Sequence, residues 1–255
     1  MVKVRPASGG GKIVEVEPER LPKWVANFAA RNGGIAAHHA EGDAWTIESN
    51  EGPLASVVWT LAGGLPSAWL LDPDPIRAAE HLRDYALEPR RIAVLLARKG
   101  AYSVGILADG RILTSKTDTS YVQGTTKAGG QSQQRFARRR EGQAKAAQKR
   151  AREAAFAVLG NANFDALVTA GPVEGILEDP RLTALKPAVH FGDTPEPKQA
   201  LLAPTAYRAI SFQIHLPDPD KRRVTFGSLK GQLEYDDAAF DIDPDIQAAF
   251  YADEP

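Results

Sequence analysis

KAGGQSQQRFARRR, residues Lys127–Arg140, is the segment on which the interpretation of this chain most depends. Two adjacent glycines indicate a turn or an exposed tip, and the residues after Gln131 have the composition of a helix. From Lys127 to Arg152, nine Lys or Arg stand against Glu141 alone, a net charge of +8. Because the whole chain carries −1, the other residues carry −9, so the positive charge is concentrated in one element.

A long helix is predicted from about Ser132 to Leu159, with two contrasting faces. At about 100° per residue, the apolar face consists of Phe136, Ala147, Ala151, Ala154 and Val158. The opposite face, called here the cationic stripe, consists of Arg138, Lys145, Lys149 and Arg152, with Arg135 at its edge. We expect no glutamate–lysine pairing at i,i+4 along this stripe, so that it is suited to following a phosphate backbone.

The composition limits the class of protein. Hydrophobic residues make up 43 % of the 255, enough for one large or two small folded domains. Cysteine is absent, which excludes disulfides and thiolate metal sites. Neither an apolar run of membrane-spanning length nor a signal-peptide pattern is present, and a cytoplasmic location is therefore expected.

The order of elements predicts an α+β chain whose central part is an α/β layer. Residues 91–203 read as three strands, with an Asp109-Gly110 hairpin turn, and then the long helix, a strand, a short helix and a strand. This β-β-β-α-β-α-β order is that of an RNase H-like layer. Residues 1–90 are predicted as an α+β module, and residues 204–255 as a β-rich segment that either completes that module or stands alone.

The N-terminal module has recognisable helix signals. PERLPKWVANFAARNGG predicts an amphipathic helix that ends at Gly33-Gly34, with Leu21, Trp24, Val25 and Phe28 as its apolar residues. DPDPIRAAEHLRDYAL predicts a second helix with Pro75 in its first turn. KIVEVEP, AWTIES and LASVVWTL predict strands.

The loop GTTKAGGQSQQ, residues 124–134, has several interpretations. Loops of this composition commonly serve as flexible linkers. Binding of an anion at a helix N-terminus is also physically sound, although no phosphate-loop Lys-Ser/Thr or Rossmann glycine spacing is present. A two-metal nuclease would need several carboxylates that converge on the sheet, and the first strand of the layer, RIAVLLAR, carries none.

A fourth interpretation comes from resemblance. GGQSQQRFARRR resembles the peptidyl-transferase-centre motif of eukaryotic and archaeal class I peptide-chain release factors, where Gly-Gly-Gln and Ser precede an Arg-Phe-Ala-Arg run that opens a long basic helix. The residues in register are Lys127, Gly129, Gly130, Gln131, Ser132, Arg135, Phe136, Ala137, Arg138 and Arg140. The similarity covers roughly Arg91 to Ala203, because it includes the preceding hairpin and the later strand FDALVTAGP.

The sequence also departs from those factors. It has no Asn-Ile-Lys-Ser motif and, without cysteine, no Tyr-x-Cys-x-x-x-Phe motif, the two signatures of stop-codon reading, and no separate domain for a partner GTPase is evident. It is closer to the Vms-like release factors, in their actinobacterial form, which cleave peptidyl-tRNA on stalled large subunits during ribosome rescue. Eukaryotic members of that branch typically place an extra residue in the motif, whereas Gly129-Gly130-Gln131 is uninterrupted here.

The resemblance implies codon-independent hydrolysis of the ester between nascent peptide and tRNA. Gly129 and Gly130 would let the backbone approach the ester closely, and the Gln131 N–H would stabilise the oxyanion while its side chain orients water. A neutral amide is not a general base, so the proton would move through another group, such as the tRNA ribose. No cofactor or metal is implied. His38 and His39 are expected at the surface, and His190 and His215 as structural residues.

The implied partners are the large ribosomal subunit, its rRNA and peptidyl-tRNA, with no DNA or membrane partner and a monomeric chain. RNA contacts are expected from the basic residues of the loop and helix: Lys127, Arg135, Arg138, Arg139, Arg140, Lys145, Lys149 and Arg152. The rival class is a non-catalytic RNA- or ribosome-binding module, which would use the basic helix but not the glycines.

Overall fold

The computed structural model describes residues 3–7, 10–61, 65–66, 70, 72–119, 131–192 and 194–218. For residues 3, 41, 131–137 and 140 it describes the backbone alone. The strand pattern RRVTFGSLKGQLEYD, residues 222–236, lies outside the described residues. The chain has a mixed α+β fold with two sheets.

The first sheet has six antiparallel strands and is built mainly from the N-terminal residues. In spatial order the strands are β1 (Lys3–Pro6), β2 (Lys12–Val16), β11 (Phe212–Leu216), β5 (Leu54–Trp59), β4 (Ala44–Ser49) and β3 (Ile35–Glu41). The strands predicted for KIVEVEP, AWTIES and LASVVWTL are confirmed as β2, β4 and β5. The sequence pattern did not indicate β3, because this edge strand buries none of its described residues and so lacks apolar alternation.

Two helices belong to the N-terminal part, α1 (Leu21–Arg31) and α2 (Pro75–Ala86). Both predicted helices are confirmed. A 3-10 turn over Pro18–Arg20 leads into α1. Of the predicted apolar residues of this helix, Leu21, Val25 and Phe28 are buried, and Trp24 is partly buried. The α2 N-terminus is capped by Asp74, whose carboxylate accepts a 2.9 Å hydrogen bond from the Ile76 amide.

The second sheet has five strands and follows the predicted RNase H-like order. In space these are β10 (Val189–Phe191), β9 (Ala166–Ala170), β6 (Arg91–Arg98), β7 (Ala101–Ala108) and β8 (Arg111–Thr119). Strands β6, β9 and β10 are parallel, and β7 is antiparallel to both of its neighbours. The hairpin between β7 and β8 turns at Asp109 and Gly110, whose φ angles of 50° and 72° are those of the predicted two-residue turn.

Helices cover both faces of the second sheet. On one face lie α3 (Gln131–Leu159) and the short α4 (Glu174–Leu177), and on the other lies α5 (Leu202–Ala209). Gly105 in β7 makes the approach of α5 possible, because a Cβ at this position would lie 2.7 Å from Cδ1 of Leu202. The strand predicted over RAISFQIHL is only partly correct, since Arg208 and Ala209 end α5 and β11 begins at Phe212.

After α5 the chain returns to the first sheet. Strand β11 lies between β2 and β5, and residues of both sheets belong to one apolar core: Phe212 and Ile214 from β11 pack with Val57, Val94 and Val168 in the same cluster. The predicted boundary between residues 203 and 204 falls inside α5. Within the described ranges, none of the helices combines the length and the apolar character needed to cross a bilayer.

Candidate functional site

The last residue of the Gly-Gly-Gln motif, Gln131, begins α3. Lys127, Gly129 and Gly130 fall outside the described residues, and Gln131 is the first residue of the helix, described by its backbone. The first four N–H groups of an α-helix have no partner within the helix, and the positive end of its dipole is there. The backbone N–H of Gln131 therefore belongs to a set of donors that the helix itself leaves available.

The described side chains nearest this end of α3 are not buried. Its 29 residues correspond to roughly 43 Å at 1.5 Å per residue. Among the side chains described from Arg138 onward, the first buried one is Ala147, about 24 Å along the axis from Gln131. Beyond it α3 is fixed to the sheet by the buried residues Ala147, Ala151, Ala154, Ala155, Val158 and Leu159. The predicted apolar face is confirmed for its four described members, and the side chain of Phe136 is not described.

The cationic stripe is exposed along most of its length. Arg138, Lys145 and Lys149 lie at the surface, although Lys145 is engaged in an ion pair described below, and the neighbouring Arg139 is exposed as well. Arg152 is different, because its side chain is half-buried and its Nε donates a 2.7 Å hydrogen bond to the carbonyl oxygen of Gly175 in α4. Helical periodicity alone could not reveal this contact, since it joins residues 23 positions apart. The side chains of Arg135 and Arg140 are not described.

The expectation that the stripe has no internal ion pair is wrong. Lys145 Nζ lies 2.7 Å from Oε1 of Glu141, at the i,i+4 spacing typical of a helix surface. The hydrogen bond from Lys145 lowers the pKa of the Glu141 carboxyl below its usual value. Both side chains are more than 60 % exposed, so water and salt screen the pair and it adds little to stability. A phosphate could therefore compete for Lys145 at little cost.

Arg181 fixes the C-terminal half of α3 to the segment that follows α4. Its guanidinium donates to both carboxylate oxygens of Glu153, at 2.9 and 3.2 Å, and to both oxygens of Asp179, at 2.9 and 3.0 Å. It also lies 4.5 Å from the ring centroid of Phe156. These bonds hold the pKa of Asp179 at about 2. This network was not predicted from the sequence, because the only part of it visible locally is Arg181 two residues after Asp179.

Two histidines of the described part lie within hydrogen-bonding distance of a residue on a neighbouring strand. His190 Nδ1 lies 2.9 Å from Oγ1 of Thr169, and Nδ1 of His38 accepts a 3.1 Å hydrogen bond from Nε1 of Trp45. Burial lowers the pKa of His215. Within the ranges that the structure describes, no three His, Asp or Glu side chains converge as a metal site would require.

Comparisons with known proteins give one family. The sequence profile of the Actinobacteria/chloroflexi VLRF1 release factor matches residues 90–215, just under half of the chain. This match begins at residue 90 and extends past residue 203 through α5 into β11. No curated protein matches the sequence significantly.

Among solved structures, the crystal structure of Pelota from Archaeoglobus fulgidus aligns with 82 % of this chain at 10 % identity and a TM-score of 0.27. The alignment covers 66 % of that protein, slightly less than two thirds of its length. A TM-score this low carries no argument about function. The family match agrees with the resemblance that the Gly-Gly-Gln motif indicated. Residues 90–215 are therefore similar in sequence to the VLRF1 release factors of Actinobacteria and Chloroflexi, and this similarity indicates a ribosome-related role in translation.

Proposed function

We propose that this protein is a codon-independent peptidyl-tRNA hydrolase that releases nascent peptides from stalled ribosomes or large subunits. The observation that carries the proposal is the position of Gln131, the last residue of the Gly-Gly-Gln motif, as the first residue of α3. A release-factor family match over the surrounding residues gives this motif its context. The partners would be the large subunit, its rRNA and peptidyl-tRNA.

The geometry of α3 suits a reaction in a confined centre. Gln131 lies about 24 Å along the axis from Ala147, the first buried residue among the described side chains of α3, so this end could enter a narrow RNA-walled space while the sheet stays outside. The exposed cations Arg138, Lys145 and Lys149 lie along this helix, where they could contact rRNA phosphates and fix the depth of insertion. A flexible linker would not need a rigid helix of this length behind it.

The chemistry would be ester hydrolysis. A water oxygen attacks the ester carbonyl carbon, the bond to the terminal ribose oxygen breaks, and the ribose hydroxyl leaves with a proton that comes from the water. The Gln131 backbone N–H would stabilise negative charge that develops on oxygen, because donors at a helix start are preorganised for an anion. Its side-chain amide would orient the water. Proton transfer would use a group outside this chain, since an amide does not act as a base.

The test is peptide release by Gln131→Ala on purified large subunits that carry peptidyl-tRNA. We expect release to be lost while the free energy of unfolding changes by less than about 0.5 kcal/mol. Gln134→Ala, which removes the same side chain three residues further along α3, is the matched control and should retain activity. Release by Gln131→Ala at the wild-type rate would leave the rival, a ribosome-binding module without catalysis, as the better assignment.

A further inference from the structure

A groove separates α3 from the edge strand β8. Its volume is about 300 Å³, and it is lined by Tyr102, Lys116, Lys149, Arg150, Glu153 and Ala154. Strand β8 is the last strand of its sheet, and Lys116 and Asp118 lie opposite Val104 and Tyr102 of β7, on the face that α3 covers. The groove therefore has one wall from the helix and one from the sheet edge.

The groove presents positive charge because, in the part of the chain that the structure describes, its acidic neighbours are paired and its two lysines are not. Both acidic groups nearby are already engaged: Glu153 is held by Arg181, and Asp118 lies 3.4 Å from Nε of Arg150. Lys116 and Lys149 form no ion pair with any carboxylate in the described part of the chain. Two ammonium groups thus face the groove without a direct ion pair among the described residues, although the chain outside residues 127–152 carries a net −9.

Tyr102 adds an uncharged hydrogen-bond donor to the same groove. Its side chain is only 9 % exposed, it lines the groove, and its hydroxyl makes no hydrogen bond within the described residues. The hydroxyl oxygen itself keeps contact with solvent, since Thr60 Oγ1 is the one fully buried side-chain oxygen or nitrogen without a partner among the described residues, so a ligand in the groove can reach it. Burial raises the pKa of Tyr102, with a smaller contribution in the same direction from Asp118. The phenol is therefore a neutral donor beside two cations.

We propose that this groove binds a backbone phosphate of RNA, with Lys116 and Lys149 as charge partners and the Tyr102 hydroxyl as a donor. Lys149 belongs to both the groove and the cationic stripe, so a strand that follows the stripe from Lys145 meets the groove one helical turn later. Arg150 also lines the groove and is paired with Asp118. The inference rests on the proposed function in that the RNA is that of the ribosome, but it does not require hydrolysis.

The experiment measures the affinity of the full chain for purified large ribosomal subunits over a series of salt concentrations. Lys116→Ala should weaken binding about two- to fivefold at physiological salt and lower the log–log salt slope by about 0.7–0.9. Lys116→Arg should retain both values. Tyr102→Phe should weaken binding with an unchanged slope, because it removes a neutral donor. Lys186→Ala is the control, since Lys186 precedes β10 at the opposite edge of the same sheet.

The outcomes separate this inference from the proposed function. Unchanged affinity and slope for Lys116→Ala would overturn the phosphate site, even if Gln131→Ala abolishes release. Weakened binding by Lys116→Ala together with full release by Gln131→Ala would support the site and refute the hydrolase. A competition arm uses polyglutamate and a short RNA duplex. If polyglutamate displaces the subunits as well as RNA does, and Lys116→Ala weakens both equally, the groove binds an acidic protein segment and the RNA assignment is wrong.

Discussion

At the level of single residues, glycines have different roles in this chain because their surroundings differ. Gly105 leaves room for Leu202 of α5, and a Cβ at Gly171, whose φ is +74°, would overlap the carbonyl oxygen of Ala97. Gly142 lies within α3, and a Cβ added there would meet no neighbouring atom within 4 Å. Packing therefore does not require glycine at this position. The glycines of the tip, Gly129 and Gly130, belong to a third kind, for which we propose a role in approach to the ester.

Alanine substitutions should separate these roles. Gly142→Ala should stabilise the protein by about 0.5–1 kcal/mol, because alanine is the better helix former and an added methyl meets no neighbour. Gly129→Ala and Gly130→Ala should each suppress peptide release while large-subunit binding persists, since a Cβ would crowd the ester and restrict the backbone. Thermal unfolding, subunit binding and release are measured for all three. Loss of binding in the tip variants would make the loop a docking element.

Asp179 should make the stability of the protein depend on pH in the acidic range. Its folded-state pKa of about 2 lies below the ordinary value of 3.8 because Arg181 donates to both of its oxygens. The stabilisation is therefore complete above about pH 4 and is lost as the pH falls towards 2. Asp179→Asn should flatten the dependence of unfolding free energy on pH in this window, measured by urea titration at each pH. Asp84→Asn, which removes an exposed partner of Arg83, should change the pH dependence of the unfolding free energy less than Asp179→Asn does.

Among the elements, α3 shows which features are encoded locally. Its start and end, its alanine face and its exposed cations follow from periodicity and composition, because a helix of 29 residues repeats its pattern many times. The hairpin at Asp109-Gly110 is equally local. Two other features are not encoded locally, because they depend on segments distant along the chain. These are the contact of Arg152 with Gly175 and the position of β11 between β2 and β5. Edge strand β3 buries none of its described residues and so left no apolar pattern.

Two members of the cationic stripe should respond differently to substitution. Arg152→Met removes the donor to the Gly175 carbonyl and should cost about 1 kcal/mol of stability while leaving the salt slope of ribosome binding nearly unchanged. Lys149→Met should do the reverse, with stability within about 0.5 kcal/mol of wild type and a slope lower by about 0.7–0.9. Thermal unfolding and salt-dependent binding are measured on both variants. Equal effects on the slope would make Arg152 a phosphate contact as well.

In the molecule as a whole, the two sheets are joined through a common core rather than through a linker alone. β11 enters the first sheet directly after α5, and Tyr207 and Arg208 of α5 bind Glu19 and Glu15 of the N-terminal part. Arg208 also lies 4.2 Å from the ring centroid of Phe191 in β10. These contacts of α5 therefore fix the second sheet to the first.

Peptide release should not depend on a stop codon. Reading a codon requires side chains that contact mRNA bases in the small subunit, and the N-terminal sheet and α1 use their aromatic residues for packing: Trp45 and Trp59 are buried, and Trp24 stacks on Phe28 at 5.3 Å. The sequence also contains neither signature of stop-codon reading. If the proposed function holds, an enzyme without a codon check would be harmful on translating ribosomes, so we expect access to be restricted, most simply by the presence of the small subunit.

The measurement compares release from isolated large subunits carrying peptidyl-tRNA with release from intact ribosomes paused at a stop codon or at a sense codon. We expect the large subunits to react fastest and the two intact complexes to react equally slowly, because the codon is not read and the small subunit limits access. Gln131→Ala in each reaction gives the background hydrolysis. A strong preference for intact ribosomes at stop codons would contradict the rescue function and indicate an ordinary termination factor, whereas equal rates in all three would show that the small subunit is no barrier.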